Sequence, residues 1–265
     1  MTKHEHRMMR HPIAIRRLEV LSAKRMTPHM QRITLQGDAL HGFVSASPDD
    51  HVKLLLPNED GELVFPTPGP NGPEFPPGVK PSPMRDYTPR EHDAIRHELI
   101  IDFVLHGDGP ASIWAENTKP GQQIGVAGPR GSFVVAEDFD HYVLIGDETA
   151  LPAIGRRLDE MPAGAHVVAL IEIPERADRQ PLGSQADFEV TWLERVDIDA
   201  ASSDLLETAL RELPALPGDT FYWIAAESRR VRMMRRYLAE ELGVPKEWIR
   251  ATGYWKADGN DDEED

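Results

Sequence analysis

The sequence predicts two domains: a small antiparallel β-barrel, then an α/β domain built on a parallel sheet. Three observations lead there. The chain has 265 residues, long for one domain and comfortable for two. Residues 13–135 read as about six short strands punctuated by proline and glycine turns, with one helix, the pattern of a closed or nearly closed antiparallel barrel. From residue 141 onward strand and helix alternate, which implies parallel strands with helices on both faces. The boundary is expected near 136–141, giving domains 13–138 and 139–257.

The elements follow in order. "IAIRRLEVLSAKRMTPHMQRITL", 13–35, alternates and breaks at Thr27-Pro28, so it reads as two strands and a turn. "HVKLLLP", 51–57, is a third strand. Residues 66–83 carry eight prolines and three glycines, so they read as an irregular loop rather than a lid. "HELIIDFVLHG", 97–107, is a buried strand, and "GPASIWAEN", 109–117, a short helix opening at Pro110-Ala111-Ser112. "KPGQQIGVAGPRGSFVV", 119–135, is turn, strand, turn, strand. In the second half, strands are expected at 141–149, 166–173, 188–194, 220–227 and 248–256. Helices are expected at 150–161, 203–213 (capped by Ser202 or Ser203) and 228–243, the last starting at Ser228 and stopping at Gly243.

Composition removes several function classes. Net charge is −16, which disfavours nucleic acid and anionic membranes as partners. There is no cysteine, hence no disulfide, thiolate metal site or cysteine nucleophile. No apolar run is long enough to span a membrane, and the basic N-terminus lacks the apolar stretch of a secretory signal, so a soluble cytoplasmic protein is expected. "DGNDDEED", 258–265, reads as a disordered acidic tail. "HEHRMMRH" is read as a frayed terminus rather than a metal site, and the five arginines of "SRRVRMMRRYL" as a solvated helix face with glutamate partners. No Ser-His-Asp signature is evident.

Two stretches carry chemistry. In "SPMRDYTPR", 82–90, Pro83 and Pro89 confine a short extended piece to a strand end or edge. Its one large apolar surface, Tyr87, sits among Arg85, Asp86, Thr88 and Arg90, more like a surface that holds a ligand than a piece of core. An aromatic face suits a planar ring, and arginine grips a diphosphate through two donors. In "HGDGPASIWA", 106–115, Gly107 and Gly109 permit close backbone approach. The amides of Ala111 and Ser112 then open a helix, where anions bind.

"RDYTPR", "HGDGPASIWA", "GDETALPAIGR" and "GYWKADG" occur in this order and spacing. Together they resemble the signatures of the siderophore-interacting protein family, flavin-dependent ferric-siderophore reductases of the ferredoxin–NADP reductase superfamily. The resemblance runs from about residue 13 to 259.

The resemblance implies that the barrel binds FAD and that the second domain is similar to those that bind a nicotinamide dinucleotide. It implies a stacking role for Tyr87, a flavin-edge contact for Thr88 beside Asp86, and a diphosphate contact for Arg85. The diphosphate cradle would be Gly109, Pro110, Ala111 and Ser112, the Ser112 hydroxyl adding a donor. Asp102, Val104 and His106 would lie toward the ribityl or adenine side, with a structural histidine equally open for His106. Trp114 is open between core and cofactor contact. Tyr254, with Trp255, would cap the flavin. Lys53, Arg130 and Arg250 would form a basic triad for the anionic ferric siderophore, with Lys256 an alternative to Arg250. "GDETALPA" replaces the usual glycine-rich turn, keeping only Gly146, and carboxylates disfavour a diphosphate. Thr149 and Ala150 begin a helix and are read as still offering amides. Glu172 could hold a ribose hydroxyl, or Arg176 and Arg179 a 2′-phosphate, and exposed loop charges explain all three equally well. The donor, NADPH, NADH or a ferredoxin-like protein, stays open. The expected activity is reduction of Fe(III) to Fe(II) in a bound siderophore by a monomeric protein with no resident metal. The rivals are another flavin or quinone reductase of the superfamily and a non-catalytic siderophore binder.

Overall fold

The computed structural model describes residues 3–69 and 72–257; the acidic segment 258–265, expected to be disordered, lies outside them. The chain forms two compact units, His6–Val135 and the part from Ala136 onward joined by the residues before His6.

The first unit contains β1 (Arg7–Arg10), β2 (Ile15–Thr27), β3 (Met30–Gln36), β4 (Val52–Leu55), β5 (Thr67–Gly69), β6 (Gly72–Glu74), β7 (Met84–Tyr87), β8 (Glu91–Asp93), β9 (Glu98–Val104), helix α1 (Pro110–Asn117), β10 (Gln123–Ala127) and β11 (Gly131–Val134). Seven strands form one antiparallel sheet in the order β7-β4-β10-β2-β3-β9-β8. Its edge strands β7 and β8 are consecutive in sequence, joined only by residues 88–90. Laid flat, seven strands would hold their edges about 29 Å apart. The four Cα steps from Tyr87 to Glu91 reach at most about 15 Å. The sheet must therefore curl, and it does: the Tyr87 ring on β7 lies 4.4 Å from the Phe103 ring on β9, near the opposite edge. This is the expected barrel, its seam bridged by the 88–90 link and not, among the described residues, by a β7–β8 ladder.

Inside the curl sit Leu18, Ile33, Leu35, Leu54, Leu99, Ile101, Phe103 and Ile124, all at most 1 % exposed. Alternation drives this. β2 buries Arg16, Leu18 and Val20 and exposes the residues between them, as a strand with one core face does. Tyr87 and Trp114 pack against this same cluster, so Tyr87 is not the isolated surface aromatic the sequence suggests.

The second unit contains β12 (His141–Gly146), α2 (Leu151–Glu160), β13 (His166–Ile173), β14 (Asp187–Glu194), α3 (Leu205–Glu212), β15 (Thr220–Glu227), α4 (Ser228–Arg236) and β16 (Ile249–Trp255). Its parallel sheet runs β14-β13-β12-β15-β16. The chain starts in the middle, builds outward to β14, then returns to β15 on the other side of β12. The carboxyl ends of β12 and β15 thus flank the topological switch point, where open α/β sheets bind ligands.

Several local expectations are corrected. The N-terminus is not frayed: β1 pairs antiparallel with β11, Arg7 opposite Val134 and Arg10 opposite Gly131. Ahead of β1, His4 is 8 % exposed and stacks on Phe139 with centroids 3.8 Å apart. Its Nδ1 meets Asp138 at 2.8 Å and its Nε2 meets Asp219 at 3.1 Å; Lys3 also pairs with Asp219. The proline-rich loop contains a short hairpin, β5 against β6. Asp204 occupies the cap position of α3 without a side-chain bond, and the Ser203 hydroxyl one residue earlier accepts from the Leu205 amide at 3.4 Å. The cap of α4 is the Glu227 carboxylate, accepting from the Arg230 amide at 3.0 Å, and α4 passes into a π turn at Tyr237–Glu241 before reaching Gly243.

The His4 clamp gives a first prediction. His4→Ala removes a stacked ring and two hydrogen bonds to carboxylates, a loss of about 1–3 kcal/mol. Hydrogen exchange in β12 and β15 should accelerate accordingly. Unchanged protection there would show that the segment adds nothing to stability.

Candidate functional site

In the first unit, several residues named from the sequence lie on β7, at the end of β9 and at the start of α1. β7 runs antiparallel to β4, Asp86 opposite Lys53 and Tyr87 opposite Val52. Arg85 is exposed and its Nη1 donates to the Met84 carbonyl at 2.8 Å. Thr88 is 7 % exposed. Burial raises the Tyr87 phenol well above its ordinary value, so it stays neutral at any working pH. β9 ends at Val104, half-buried, and passes through exposed His106, Gly107 and Gly109 into α1. Gly109 caps α1 at φ 74°, a conformation in which only glycine is unstrained. Helical geometry leaves the first amides of α1, those of Ala111 and Ser112, without intrahelical acceptors.

Other side chains named from the sequence are already engaged. Asp102 on β9 accepts two 2.7 Å bonds from Arg32, its cross-strand neighbour on β3. His106 Nδ1 contacts Asp108 at 2.5 Å. The Ser112 hydroxyl, 1 % exposed, accepts from the His106 amide at 3.1 Å, which ties the start of α1 to the segment that follows β9. Trp114 lies 5.6 Å from Phe103, which favours the core reading. Lys53 is bonded to both Asp86 oxygens at 3.0 Å, so a predicted ligand-binding cation and a predicted cofactor residue form a surface ion pair. Such exposed pairs are weak, about 0.2–1 kcal/mol, and an incoming polyanion can compete for the lysine. Arg130 is exposed.

In the second unit, the acidic turn at the switch point is organised internally. Asp147, 1 % exposed, accepts from the Thr149 amide at 2.9 Å and hydroxyl at 2.5 Å through Oδ1, and from the Trp255 indole at 2.7 Å through Oδ2. The Ala150 amide donates to the Asp147 carbonyl at 3.0 Å. The expectation that Thr149 and Ala150 offer free amides is therefore corrected: both are spent on Asp147. Gly146 serves packing, because a Cβ there would sit 2.4 Å from Ala150 Cβ and 2.8 Å from the Ala225 carbonyl.

Glu148 and Glu172 join a buried ion network that the sequence reading missed. Arg195 donates to both Glu148 oxygens at 2.6 and 2.7 Å and to Glu172 at 3.2 Å. Arg230 reaches Glu172 at 2.7 and 3.0 Å and Glu207 at 2.8 and 3.0 Å. Glu172 is 0 % exposed and is neither a loop charge nor open to a ribose. Arg179 pairs with Glu194 at 2.6 Å. Arg230 also departs from the expectation that the arginines of α4 are all solvated. The available signal was an arginine four positions before Met234, on the buried face of α4. At the end of the sheet, Tyr254 is the extra residue of a bulge: Gly253 pairs with Ala226 and Trp255 with Glu227. The bulge leaves the Tyr254 ring 6.2 Å from Trp223. Arg250 lies on β16 opposite Trp223.

A curled antiparallel unit followed by a parallel α/β unit is also the fold of the ferredoxin reductase in carbazole 1,9a-dioxygenase, with a TM-score of 0.64 at 18% identity over 92% of this chain and 68% of that one. Other comparisons are more specific. Residues 19–133 match the siderophore-interacting FAD-binding domain, and residues 139–258 match the siderophore-interacting protein domain. The chain is 38% identical over 253 residues to the NADPH-dependent ferric-chelate reductase of Escherichia coli strain K12, covering 94% of this chain and 96% of the relative. It is 32% identical over 251 residues to the ferric vibriobactin reductase of Vibrio cholerae serotype O1, covering 93% and 91%. A siderophore utilization protein from T. fusca has the same fold, with a TM-score of 0.88 at 38% identity over 96% of this chain and 97% of that one. The chain belongs to the siderophore-interacting protein family.

Asp147 yields a prediction about pH. Burial first, then the neighbouring Glu148 charge, raises its carboxyl from 3.8 to about 6, against the opposing bonds from Thr149 and Trp255. The folded state therefore holds the proton more tightly than the unfolded chain. Its contribution is fully present below about pH 4 and is lost as pH rises to about 6. The shift corresponds to about 3 kcal/mol. Wild-type stability should fall relative to that of Asp147→Asn between pH 4 and 7, measured by urea titration across the range. A difference between the two proteins that does not vary with pH would show that Asp147 ionises as an ordinary carboxylate.

Proposed function

We infer that this protein is an FAD-dependent ferric-siderophore reductase. The observation that carries the reading is the meeting of three features at the curl of the first unit. Tyr87 presents an aromatic ring backed by Phe103, Arg85 offers an exposed cation, and α1 opens on amides behind a left-handed glycine. A planar ring, a diphosphate and a linker between them match that donor set. Bound FAD supplies two-electron acceptance and one-electron release.

The residues divide the remaining work. Tyr87 holds the ring system, with Thr88 at its edge. Arg85 and the amides of Ala111 and Ser112 hold the diphosphate, with Gly109 and Pro110 shaping the approach. Val104, His106 and the Arg32–Asp102 pair line the side toward the ribityl chain. Lys53 and Arg130 attract an anionic ferric chelate in a protein whose overall charge of −16 would otherwise repel it. One electron per iron yields Fe(II), which anionic oxygen donors hold less tightly. No proton-transfer pair is required. The FAD-binding part corresponds to 13–138 and the donor-binding part to 139–257. The protein works as a monomer in the cytoplasm, where imported chelates arrive. Among the described residues no helix is long and apolar enough to cross a membrane.

The donor is a nicotinamide nucleotide, as in the NADPH-dependent relative. A specific observation favours a second reading, a ferredoxin-like protein donor: the turn that would cradle a dinucleotide diphosphate has spent its Thr149 and Ala150 amides on Asp147.

The reconstituted protein should be yellow. Under anaerobic conditions the flavin should bleach with NADPH or NADH and reoxidise on addition of a ferric catecholate. Bleaching by neither nucleotide, with chelate-driven reoxidation after chemical reduction, would select the protein donor. A protein that binds no FAD, or whose reduced form ignores the chelate, would sink the reading. Tyr87→Ala should weaken FAD binding by about tenfold or more, read from recovered free-flavin fluorescence.

A further inference from the structure

Around the start of β11 lies a buried polar cluster that the electron-transfer reading does not use. Ser132 is 1 % exposed and Asp50 3 %. The Ser132 hydroxyl donates to Asp50 Oδ2 at 2.6 Å. It accepts from the Ala46 amide at 3.1 Å and lies 2.8 Å from His11 Nε2. The same Asp50 oxygen accepts from the Ser45 hydroxyl at 2.9 Å and the Ser47 amide at 3.2 Å.

These bonds fix the protons. A hydroxyl has one hydrogen, and the carboxylate takes it. His11 Nε2 must then be the protonated nitrogen, donating to Ser132. The three residue types are those of a hydrolytic triad, but the order is wrong for one. Asp50 accepts from the serine and does not orient the imidazole, and the hydroxyl is buried and hydrogen-bonded rather than activated.

What the cluster does is fasten backbone. It joins the residue after β1, the 45–50 loop and the first residues of β11. Arg130 precedes Ser132 by two positions and Lys53 follows Asp50 by three. Three peptide groups near Arg130 are held as well. The His11 amide donates to the Arg130 carbonyl at 2.9 Å, and the Gly128 amide to Ala14 at 3.1 Å. The Gly128 carbonyl accepts from Arg16 Nη1 at 2.9 Å. β10 pairs Ala127 with Lys53 on β4, so the chain leaving β10 toward Arg130 starts beside Lys53. Exposed Arg130 and half-buried Lys53, itself paired with Asp86, thus rise from one rigid base.

We propose that His11, Ser132 and Asp50 are positioning residues that preorganise Arg130, with Lys53, for a multiply charged anionic chelate. The proposal rests on the assignment of those two cations to chelate binding. Preorganisation lowers the ordering cost of binding, so its loss should appear in affinity and not in electron transfer.

The test titrates FAD-loaded protein with a redox-inert gallium(III) tris-catecholate, and with a neutral gallium(III) tris-hydroxamate as control, following flavin fluorescence. Ser132→Ala and His11→Ala should each weaken catecholate binding by about tenfold. His11→Gln, which retains an N–H donor, should restore most of the affinity. Arg130→Gln should weaken it too, and adding it to His11→Ala should cost less than the sum of the two. For Ser132→Ala and His11→Ala, hydroxamate binding and the reoxidation rate at saturating ferric catecholate should stay as in wild type. If Arg130→Gln has no effect, the chelate role of Arg130 fails and the proposal with it. If Arg130→Gln weakens binding while His11→Ala and Ser132→Ala do not, only the positioning role is overturned. Equal loss for both chelates would reduce the cluster to a general support of the fold. Should Ser132→Ala fail to fold, the His11 pair decides.

Discussion

Residues 88–90 impose the constraint on which the first unit depends. They tie together strands that occupy opposite edges of a seven-stranded sheet, and that tie is too short for the sheet to lie flat. The curl that results brings Tyr87 against Phe103, six positions across the sheet order from β7 to β9 counted inclusively. It buries Thr88 and puts Arg85 on the outside of the same short strand. Proline at 83 and 89 suits this seam, since neither flanking position needs to donate to a ladder. The Tyr87 ring, proposed to hold the flavin, is therefore also a packing element, which fixes its plane.

The second unit solves a different problem. Two carboxylates in the turn after β12 would be costly beside a sheet core unless paired. Asp147 is satisfied by three donors, and Glu148 by a bidentate arginine. The cost is that the turn's own amides are no longer available to an outside anion. Glu172 is held between Arg195 and Arg230, so the charges at this end of the sheet form a closed set. Removing one partner from such a buried set costs about 3–5 kcal/mol, and that makes the turn rigid rather than adaptable.

Charge at the proposed chelate surface is arranged sparingly. Lys53 rests on Asp86, an exposed pair that a polyanion can open at little cost. Arg130 stands on backbone fixed by His11, Gly128 and Ser132. In a strongly acidic chain, a few well-held cations create local attraction without altering the overall repulsion that keeps the protein soluble.

The sequence by itself determined the two-unit architecture, most strand and helix positions and the motifs that mark the family. Those features are local: alternation, proline and glycine punctuation, and short stretches such as "RDYTPR" whose chemistry needs no distant partner. Only the tertiary structure decided which charged and polar groups were already taken. Glu172 finds Arg230 58 positions away, Asp147 finds Trp255 across 108, and Ser132 finds Asp50 across 82. His4 likewise turns an apparently frayed terminus into a clamp through Asp138 and Asp219. A side chain's pairing depends on which segments the fold brings within about 3 Å, and nothing in the spacing along the chain encodes that distance.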